Sequence, residues 1–387
     1  MLQRTLSLPK SKSSFLFGPR QTGKSTLINS WLGPNDLYIN LLVQSTYLSY
    51  SREPSRFRQE ILAHLKKYPQ TTVFLDEVQR IPALLDEVHA LIEEKKCRFL
   101  MTGSSARKLK RGGANLLAGR AYSFQLFPLT FEELHENFEL EKALQIGCLP
   151  VLWNTEAQED PKNFLRTYAE TYLKEEIQSE GLVRNIGPFA RFLDVMGTSD
   201  GEIVNYSTIG RDCGVSVKTV QEYYRILEDT FLAIRLDPWI RSVRKRLSSH
   251  PKYYLFDMGI ANAIAHTGLR NELDTVTRGR RFEQFIILQS IALNHYYQLD
   301  LNFNFWRTYT GAEVDLLISR GSKILAAVEI KSSSRIHPAD LSGLQSFLSE
   351  NAKVPAWIVC MDERPRELKD GITSIPWKEF LERLKNM

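Results

Sequence analysis

Short apolar runs alternate with amphipathic segments over the first third of the chain. The runs at residues 14–17, 37–42, 72–75 and 98–102 have the length and composition of buried strands, and the segments between them show helical spacing. Alternating strands and helices are typical of a parallel sheet, because parallel strands need a crossover connection that is usually a helix. The pattern therefore predicts an α/β fold for this part of the chain.

The pattern changes twice further along the chain. Strand signals fade after residue 125, and charged helical patterns such as residues 163–180 and 216–228 dominate. After residue 252 a long helix is predicted at residues 279–297, then strand, turn and strand over residues 303–330, and finally a helix and a strand. The predicted division is an α/β domain over residues 1–125, a helical region over residues 126–252 and a second α/β domain over residues 253–387.

The composition fits a packed protein of several domains. A chain of 387 residues corresponds to two or three domains of roughly 150 residues each. With 43% hydrophobic and 25% charged residues, it belongs to neither the disordered nor the fibrous class. A total of 50 Lys and Arg residues against 45 Asp and Glu residues leaves a formal charge of +5, which allows a nucleic-acid partner without requiring one.

Cysteine spacing and hydropathy argue against zinc-binding, disulfide-rich, membrane and secreted proteins. The four cysteines, at positions 97, 148, 213 and 360, contain no C-x-x-C pair, so neither a zinc knuckle nor a disulfide framework is expected. No apolar stretch approaches the roughly 18 residues of a membrane span, and the first residues lack the apolar run of a secretory signal. We therefore expect a cytoplasmic protein that has no membrane partner.

A phosphate-binding motif lies between the first predicted strand and the first helix. Residues 18–25 satisfy G-x-x-x-x-G-K-[ST] in the strand-to-helix context that this motif requires. Its backbone N–H groups and the helix N-terminus would bind phosphate oxygens, Lys24 would add a full positive charge, and Ser25 would bind Mg²⁺. The residues predicted to bind ATP are Gly18, Pro19, Arg20, Gln21, Thr22, Gly23, Lys24, Ser25 and Thr26.

An acidic pair follows the predicted strand at residues 72–75. Asp76 would bind Mg²⁺, directly or through water, and Glu77 would orient and deprotonate an attacking water. Because transfer to water needs such a base, the pair favours an ATPase over a kinase. Arg120 is the candidate for the cation that stabilises developing charge on the phosphoryl group, and Arg20 and Arg80 are rivals for this role.

Two features of the middle region are compatible with DNA. Residues 207–227 have the spacing of a helix-turn-helix, and Lys218 lies near the start of the second helix, where a recognition helix contacts DNA. A unit of this kind can equally serve protein contacts alone. Residues 238–252 carry no acidic residue and form either a phosphate-binding patch or a solvated linker. Their nucleic-acid candidates are Arg241, Arg244, Lys245 and Arg246.

The last region contains a second candidate catalytic group. Glu329 and Lys331 are two residues apart on a predicted strand, so they share a face, and a hairpin would bring Asp315 opposite them. Two carboxylates and a lysine could hold a second divalent ion, Mg²⁺ or Mn²⁺, and activate water against a phosphodiester, with Glu283 completing the metal ligands. The alternative is that these are ordinary polar residues of an exposed hairpin.

These motifs together resemble a known family. The P-loop and residues 72–80, 117–122 and 127–133 are similar to the prokaryotic AAA-family ATPases of the AAA_14 type, and residues 172–184, 206–239, 251–259 and 306–333 look like the DUF4143 domain usually fused to them. The resemblance implies an AAA+ P-loop ATPase, a winged-helix segment and a C-terminal domain of the PD-(D/E)xK restriction-endonuclease-like superfamily. Asp315, Glu329 and Lys331 fall on that superfamily's motif, although Val314 replaces its proline.

We therefore expect an Mg²⁺-dependent ATPase whose nucleotide state gates a DNA-directed, nuclease-like domain. The alternative is a nucleotide-switched DNA-binding or adaptor protein in which that domain keeps its fold and lacks cleavage. ATP and DNA are the expected partners, and a homo-oligomer is left open because Arg120 would act either in its own chain or in a neighbouring copy.

Overall fold

The computed structural model describes residues 2–105, 119–154, 160–172, 186–240, 250–268 and 272–387. The chain divides into two compact units. The first comprises Met1–Leu129, Leu149–Val151 and Arg225–Leu232, and the second Thr130–Cys148, Leu152–Tyr224 and Ala233–Met387. Within the described ranges, no helix is both long and apolar enough to cross a membrane. The basic candidates Arg241, Arg244, Lys245 and Arg246 lie outside the described residues.

A parallel sheet forms the centre of the first unit. Its strands are β1 Ser13–Phe17, β2 Leu37–Asn40, β3 Thr72–Asp76, β4 Arg98–Gly103 and β5 Ala121–Gln125. They pair in the order β2-β3-β4-β1-β5, and every pairing is parallel. The predicted α/β sheet is confirmed, with each predicted strand in place. The edge strand β5, which is largely accessible to solvent, has no counterpart among the predicted strands.

Helices on the sheet make the core of this unit. They are α1 Lys24–Asn29, α2 Gln44–Arg52, α3 Pro54–Lys67 and α4 Leu84–Glu93. Phe57 and Ile61 of α3 pack with the strand residues Phe15, Val73 and Phe99 in one buried cluster. Because β1 and β3 are buried and parallel, the residues that follow them emerge at the same edge of the sheet. This edge positions the predicted phosphate site.

The middle of the chain is helical, as its charged pattern predicts. The helices are α5 Phe131–Leu134, α6 Leu140–Ile146, α7 Pro161–Thr167, α8 Ile186–Thr198, α9 Tyr206–Cys213, α10 Val217–Asp229 and α11 Met258–Ile264. Between α9 and α10 the chain turns sharply at Gly214, whose φ is +69°, and the amide of Val215 donates to the carbonyl of Gly210 over 2.8 Å. Strand β6, Ala233–Leu236, then pairs antiparallel with β7, Lys252–Leu255. Of the predicted helix at residues 163–180, the described part is α7 followed by a π-helical turn, Tyr168–Tyr172, and residues 173–180 lie outside the described residues.

A mixed sheet forms the C-terminal part of the second unit. Its strands are β8 Asn302–Arg307, β9 Glu313–Arg320, β10 Lys323–Ile330, β11 Ala356–Cys360, β12 Arg366–Glu367 and β13 Ile372–Pro376, and its helices are α12 Thr275–Tyr297, α13 Ser342–Glu350 and α14 Trp377–Lys385. The strand order is β12-β13-β11-β10-β9-β8. Strands β9 and β10 form the predicted hairpin, with Leu317 opposite Ala327. Val314 and Leu317 pack with Leu344 and Phe347 of α13, which fixes this hairpin in the core.

Candidate nucleotide-binding site

The loop between β1 and α1 has the backbone conformation of a phosphate-binding loop. Gly18 has φ +151° and Gly23 has φ +89°, values that side-chain-bearing residues rarely adopt. A Cβ atom at Gly18 would lie 2.4 Å from the carbonyl oxygen of Leu126. The motif therefore needs glycine at position 18 for space as well as for conformation.

Lys24 directs its charge into this loop. The side chain is buried, with 6% of the residue exposed. Its Nζ donates to the carbonyl oxygens of Gly18 and Pro19, both over 2.8 Å. The ammonium group thus lies inside the turn whose N–H groups would bind phosphate, as the motif predicts.

Arg4 is a residue that the motif does not include. Its guanidinium donates to the carbonyl oxygens of Thr22 and Phe127, each over 2.7 Å, and the hydroxyl of Thr22 donates to the carbonyl of Pro19 over 2.9 Å. These bonds tie the loop to the chain segment after β5. No sequence signal identifies Arg4, because its partners are backbone atoms.

Ser25 and Asp76 meet at the carboxyl edge of the sheet. The Ser25 hydroxyl donates to the Asp76 carboxylate, with oxygen distances of 2.9 and 3.1 Å. The hydroxyls of Tyr38 and Thr102 also donate to this carboxylate, Tyr38 over 3.0 Å. Asp76 is only 2% exposed, and its donors are neutral hydroxyl groups. A site of hydroxyl and carboxylate oxygens suits Mg²⁺, which prefers oxygen ligands.

The Glu77 side chain is held by two polar neighbours. Its backbone is in the left-handed region, with φ +60°, and its amide donates to the Thr102 hydroxyl over 3.0 Å. Its carboxylate accepts hydrogen bonds from the Gln79 amide and, over 3.3 Å, from the Ser104 hydroxyl. Thr102 in β4 and Ser104 just after it thus contribute to the position of Glu77, and Gln79 is a residue that the motif alone does not identify.

The arginine candidates lie in different places. Arg120 immediately precedes β5, whose first residue pairs with Ser13 at the start of β1, so it lies at the sheet edge opposite the P-loop and forms an ion pair with Glu93. In its own chain Arg120 is therefore not beside the phosphate loop. Arg80 donates to the carbonyl of Leu41 over 2.8 Å and packs 4.6 Å from the ring of Tyr47. Arg20 lies within the loop itself.

The second candidate group also comes together, on the hairpin β9–β10. Asp315 and Glu329 are each 9% exposed. The Asp315 carboxylate accepts from the amide of Ile330 over 2.8 Å, and Lys331 Nζ lies 2.8 Å from Glu329 Oε1. Burial, followed by the nearby charge of Glu329, raises the pKa of Asp315 well above its ordinary value. Burial also raises the pKa of Glu329, although Lys331 opposes the shift.

Glu283, the third predicted metal ligand, forms a hydrogen bond with Tyr254 and an ion pair with Lys252. Its Oε1 accepts from the Tyr254 hydroxyl over 2.6 Å and lies 3.3 Å from Lys252 Nζ, which also lies 2.7 Å from Glu313 Oε1. Burial alone would lower the pKa of Lys252, but the charges of Glu283, Asp315 and Glu313 outweigh it and raise that pKa. In the described part of the chain, no group of three or more His, Cys, Asp or Glu side chains is arranged to hold a metal ion. The structure thus does not assemble Asp315, Glu329 and Glu283 as a metal-ligand set.

A cavity of about 410 Å³ opens beside these residues. It lies within the second unit and is lined mainly by charged side chains. Its lining residues are Asp200, Gly201, Glu202, Ile203, Lys252, Tyr254, Arg280, Glu283, Arg307, Glu313 and Asp315.

Family comparisons divide the chain into three matched segments. Residues 10–135 match the family model of an AAA domain. Together with the P-loop geometry, this match points to nucleotide binding and hydrolysis in the first unit. Residues 278–380 match DUF4143, a domain of unknown function, and residues 137–272 match another one, DUF8612. The resemblance of residues 172–184, 206–239 and 251–259 to DUF4143 is therefore corrected, because these residues fall in the DUF8612 match.

Individual relatives are distant. An uncharacterized protein of Haemophilus influenzae is 23% identical over 336 residues, which cover 80% of each chain. The structure of the Aeropyrum pernix ORC1 protein in complex with DNA is 13% identical and covers 67% of this chain and 87% of that chain, with a TM-score of 0.30. The Aeropyrum pernix ORC2 structure, described as ADPNP-ADP complexes, is 12% identical with a TM-score of 0.25, covering 69% of this chain and 90% of that chain.

Proposed function

We propose that the first unit binds Mg²⁺ and ATP at residues 18–26 and hydrolyses ATP. The observation that carries this proposal is the contact between the Ser25 hydroxyl and the Asp76 carboxylate, next to the Lys24 ammonium in the loop. A lysine, a hydroxyl and a carboxylate at the carboxyl edge of a parallel sheet are the groups that phosphoryl transfer requires. The AAA-domain match over the same residues supports it.

Each residue has a distinct part in this reaction. The loop amides and Lys24 would bind the phosphate oxygens, and Ser25 and Asp76 would hold Mg²⁺, which supplies charge neutralisation on the phosphates when bound. Glu77 would orient a water molecule and accept its proton. Its contacts with Gln79 and Ser104 hold the carboxylate in place.

ATP binding and phosphate release by purified full-length variants would test this proposal. Lys24→Ala should lose both, because the phosphate charge then has no ammonium partner. Glu77→Gln should keep ATP binding but lower the hydrolysis rate by about 100-fold or more, the usual contribution of a general base. Lys10→Ala, at an exposed lysine of the same unit, is the matched control. Unchanged turnover in Lys24→Ala would refute the assignment.

For the remainder of the chain, we propose a DNA-directed role that the nucleotide state controls. Its support is the meeting of Asp315, Glu329 and Lys331 on the hairpin β9–β10, as the nuclease motif requires, and a helix, turn, helix and strand pair in which Lys218 is exposed. In this proposal the last domain has a restriction-endonuclease-like fold, and α9 to β7 form a winged helix.

A specific contact favours the second candidate, a nucleotide-switched adaptor whose nuclease-like domain lacks cleavage. The Lys252 ammonium already lies 3.3 Å from the carboxylate of Glu283, which is one of the predicted metal ligands, and 2.7 Å from that of Glu313. Single-stranded, linear and supercoiled DNA, incubated with Mg²⁺ or Mn²⁺ and with or without ATP, would separate the two. Cutting that is lost in Asp315→Ala and Lys331→Ala would establish the nuclease. Binding without cutting by a chain that hydrolyses ATP would establish the adaptor.

A further inference from the structure

Lys252 is a buried cation at the edge of the acidic cavity. It is the first residue of β7, and its side chain is only 5% exposed. Its ammonium lies 2.7 Å from Glu313 Oε1 on β9 and 3.3 Å from Glu283 Oε1 on α12. Its positive charge therefore lies between two of the elements that line the cavity with carboxylates, β9 and α12.

One of the carboxylates in contact with this lysine, Glu283, is a predicted metal ligand, and the others lie close by. Asp315 lines the same cavity as Glu283 and Glu313, and Glu329 Oε2 is a buried oxygen that has no hydrogen-bond partner in the structure. Several carboxylates in a small, buried space repel one another unless a cation compensates them. Lys252, Lys331 at Glu329, and Arg307, which lies 3.6 Å from Glu313, provide this compensation from within the chain. Of these, Lys252 is the most deeply buried, with 5% of its side chain exposed.

We propose that Lys252 takes the place of the divalent cation at this cluster, so that the folded chain excludes Mg²⁺ and Mn²⁺ from it. The ammonium lies within ion-pair distance of Glu283 and Glu313, so a metal ion at the same carboxylates would meet a positive charge and fewer available oxygens. This inference rests on the proposed nuclease-like assignment of the domain and gives the reason why its residues do not form a metal site.

Binding of Mn²⁺ to the full-length chain without nucleotide tests the proposal. Electron paramagnetic resonance of free Mn²⁺ counts the bound ions, and Asp76→Asn in every sample removes the predicted metal ligand of the ATP site. In this background we expect no Mn²⁺ binding that depends on Asp315. Adding Lys252→Met should create one Mn²⁺ site per chain, at least 10-fold tighter than any in its parent, and a further Asp315→Asn should abolish it. Lys252→Arg, which keeps the charge, should gain no site.

Two results would overturn the proposal. One is Mn²⁺ binding by the chain with Lys252 intact that disappears in Asp315→Asn. The other is a Lys252→Met chain with an unchanged circular dichroism spectrum that gains no Mn²⁺ site. Lys252→Gln provides the same comparison if the methionine variant fails to fold.

Separate measurements would refute the proposed ATPase and nuclease functions without affecting this proposal. Loss of the ATPase assignment would appear in phosphate release by Lys24→Ala, which does not involve this cavity. A Lys252→Met chain that gains Mn²⁺, together with a chain bearing Lys252 that cuts no DNA, would leave the present proposal standing while removing the nuclease.

Discussion

Two carboxylate sites in the described part of the chain, one at Asp76 and one at Glu283 and Glu313, have hydrogen-bond and ion-pair partners of different kinds. Around Asp76 the hydrogen-bond donors are the hydroxyls of Ser25, Tyr38 and Thr102. Around Glu283 and Glu313 the partners include two cations: the ammonium of Lys252 pairs with both carboxylates, and Arg307 lies 3.6 Å from Glu313. The hydroxyl of Tyr254 donates to Glu283 as well. Hydroxyls leave the negative charge of the first site available to a cation, whereas the cations of the second site already offset part of its negative charge. In our proposals the nature of the donors, more than the number of acids, therefore decides which of the two sites binds a metal ion.

The largest effect is expected from Gly18→Ala in the first site. Its added Cβ would lie 2.4 Å from the carbonyl of Leu126, at a backbone φ of +151°, so the loop must shift. We expect ATP affinity to fall by at least about 100-fold, because several phosphate-binding N–H groups move together. Isothermal titration with ATP measures this. Gly33→Ala, at an exposed glycine where a Cβ would meet nothing closer than 3.5 Å, should bind normally, and wild-type affinity in Gly18→Ala would contradict the loop's role.

Asp76→Asn should have the next largest effect. The amide oxygen of asparagine can still accept from the hydroxyls on one side, and its NH₂ group can donate to a hydroxyl oxygen on the other, so the fold should persist, but the charge that attracts Mg²⁺ is lost. We expect ATP hydrolysis at saturating Mg²⁺ to fall by about 100-fold, with little change in melting temperature. A variant that hydrolyses ATP normally would remove Asp76 from the metal site.

In the second site the corresponding change, Asp315→Asn, should increase stability. Burial and Glu329 raise the pKa of Asp315, so at pH values between its ordinary and its raised pKa the folded chain retains a proton there that the unfolded chain releases. Stability from this proton is complete below the ordinary pKa of an aspartate and is lost as pH rises through the raised value. Asparagine avoids that loss, and at pH 8 it should stabilise the chain by about 1–3 kcal/mol.

Denaturant unfolding at pH 5 and pH 8 measures whether Asp315→Asn raises the free energy of unfolding and how this change depends on pH. The advantage of Asp315→Asn over the wild type should be smaller at pH 5 than at pH 8. Asp300→Asn, at an exposed aspartate, should show no such change. If Asp315→Asn instead destabilised the chain at pH 8, then the ionised carboxylate would be stabilised by Lys252 and Lys331 more than burial penalises it.

The sequence predicts the first site more completely than the second. The strands β1 and β3 and the residues that follow them, Lys24, Ser25 and Asp76, are consecutive in local patterns, and a parallel sheet brings their ends together. The pairing of Asp315 with the β10 residues also follows from a hairpin. In both cases the contact follows from local geometry: the shared edge of a parallel sheet for the first site and the pairing of a hairpin for the second.

The remaining contacts depend on packing between distant segments. Lys252 lies 31 residues before Glu283, and its sequence context is a basic stretch that predicts exposure. Tyr38 lies in a strand and belongs to no sequence motif that would identify its hydroxyl as a donor to Asp76. Arg120 precedes a strand that the hydrophobic pattern does not show, so its position at the opposite sheet edge could not be predicted.

A smaller effect is expected from Tyr38→Phe, which removes one of the hydroxyl donors to Asp76. Burial, followed by the charge of Asp76, raises the pKa of Tyr38 to about 12, so the residue remains a hydrogen-bond donor at neutral pH. The phenylalanine ring can still stack on Phe74, 4.9 Å away. We expect the Mg²⁺ concentration for half-maximal hydrolysis to change by only about 2- to 5-fold. Tyr309→Phe, at a fully exposed tyrosine, should change nothing, and a loss as large as that of Asp76→Asn would show that Tyr38 itself is essential.

The smallest effect on ATP binding is expected from Arg120→Ala. Arg120 lies at the sheet edge opposite the P-loop and pairs with Glu93, and five strand residues at roughly 3.3 Å each separate these edges. ATP affinity of the dilute chain should therefore stay within about 2-fold of the wild type. If Arg120 stabilises phosphoryl transfer in a neighbouring copy, the hydrolysis rate per chain should rise with protein concentration in the wild type and stay flat in Arg120→Ala. A rate that is independent of dilution in both chains would remove Arg120 from catalysis and leave Arg20 and Arg80 as the cations of the site.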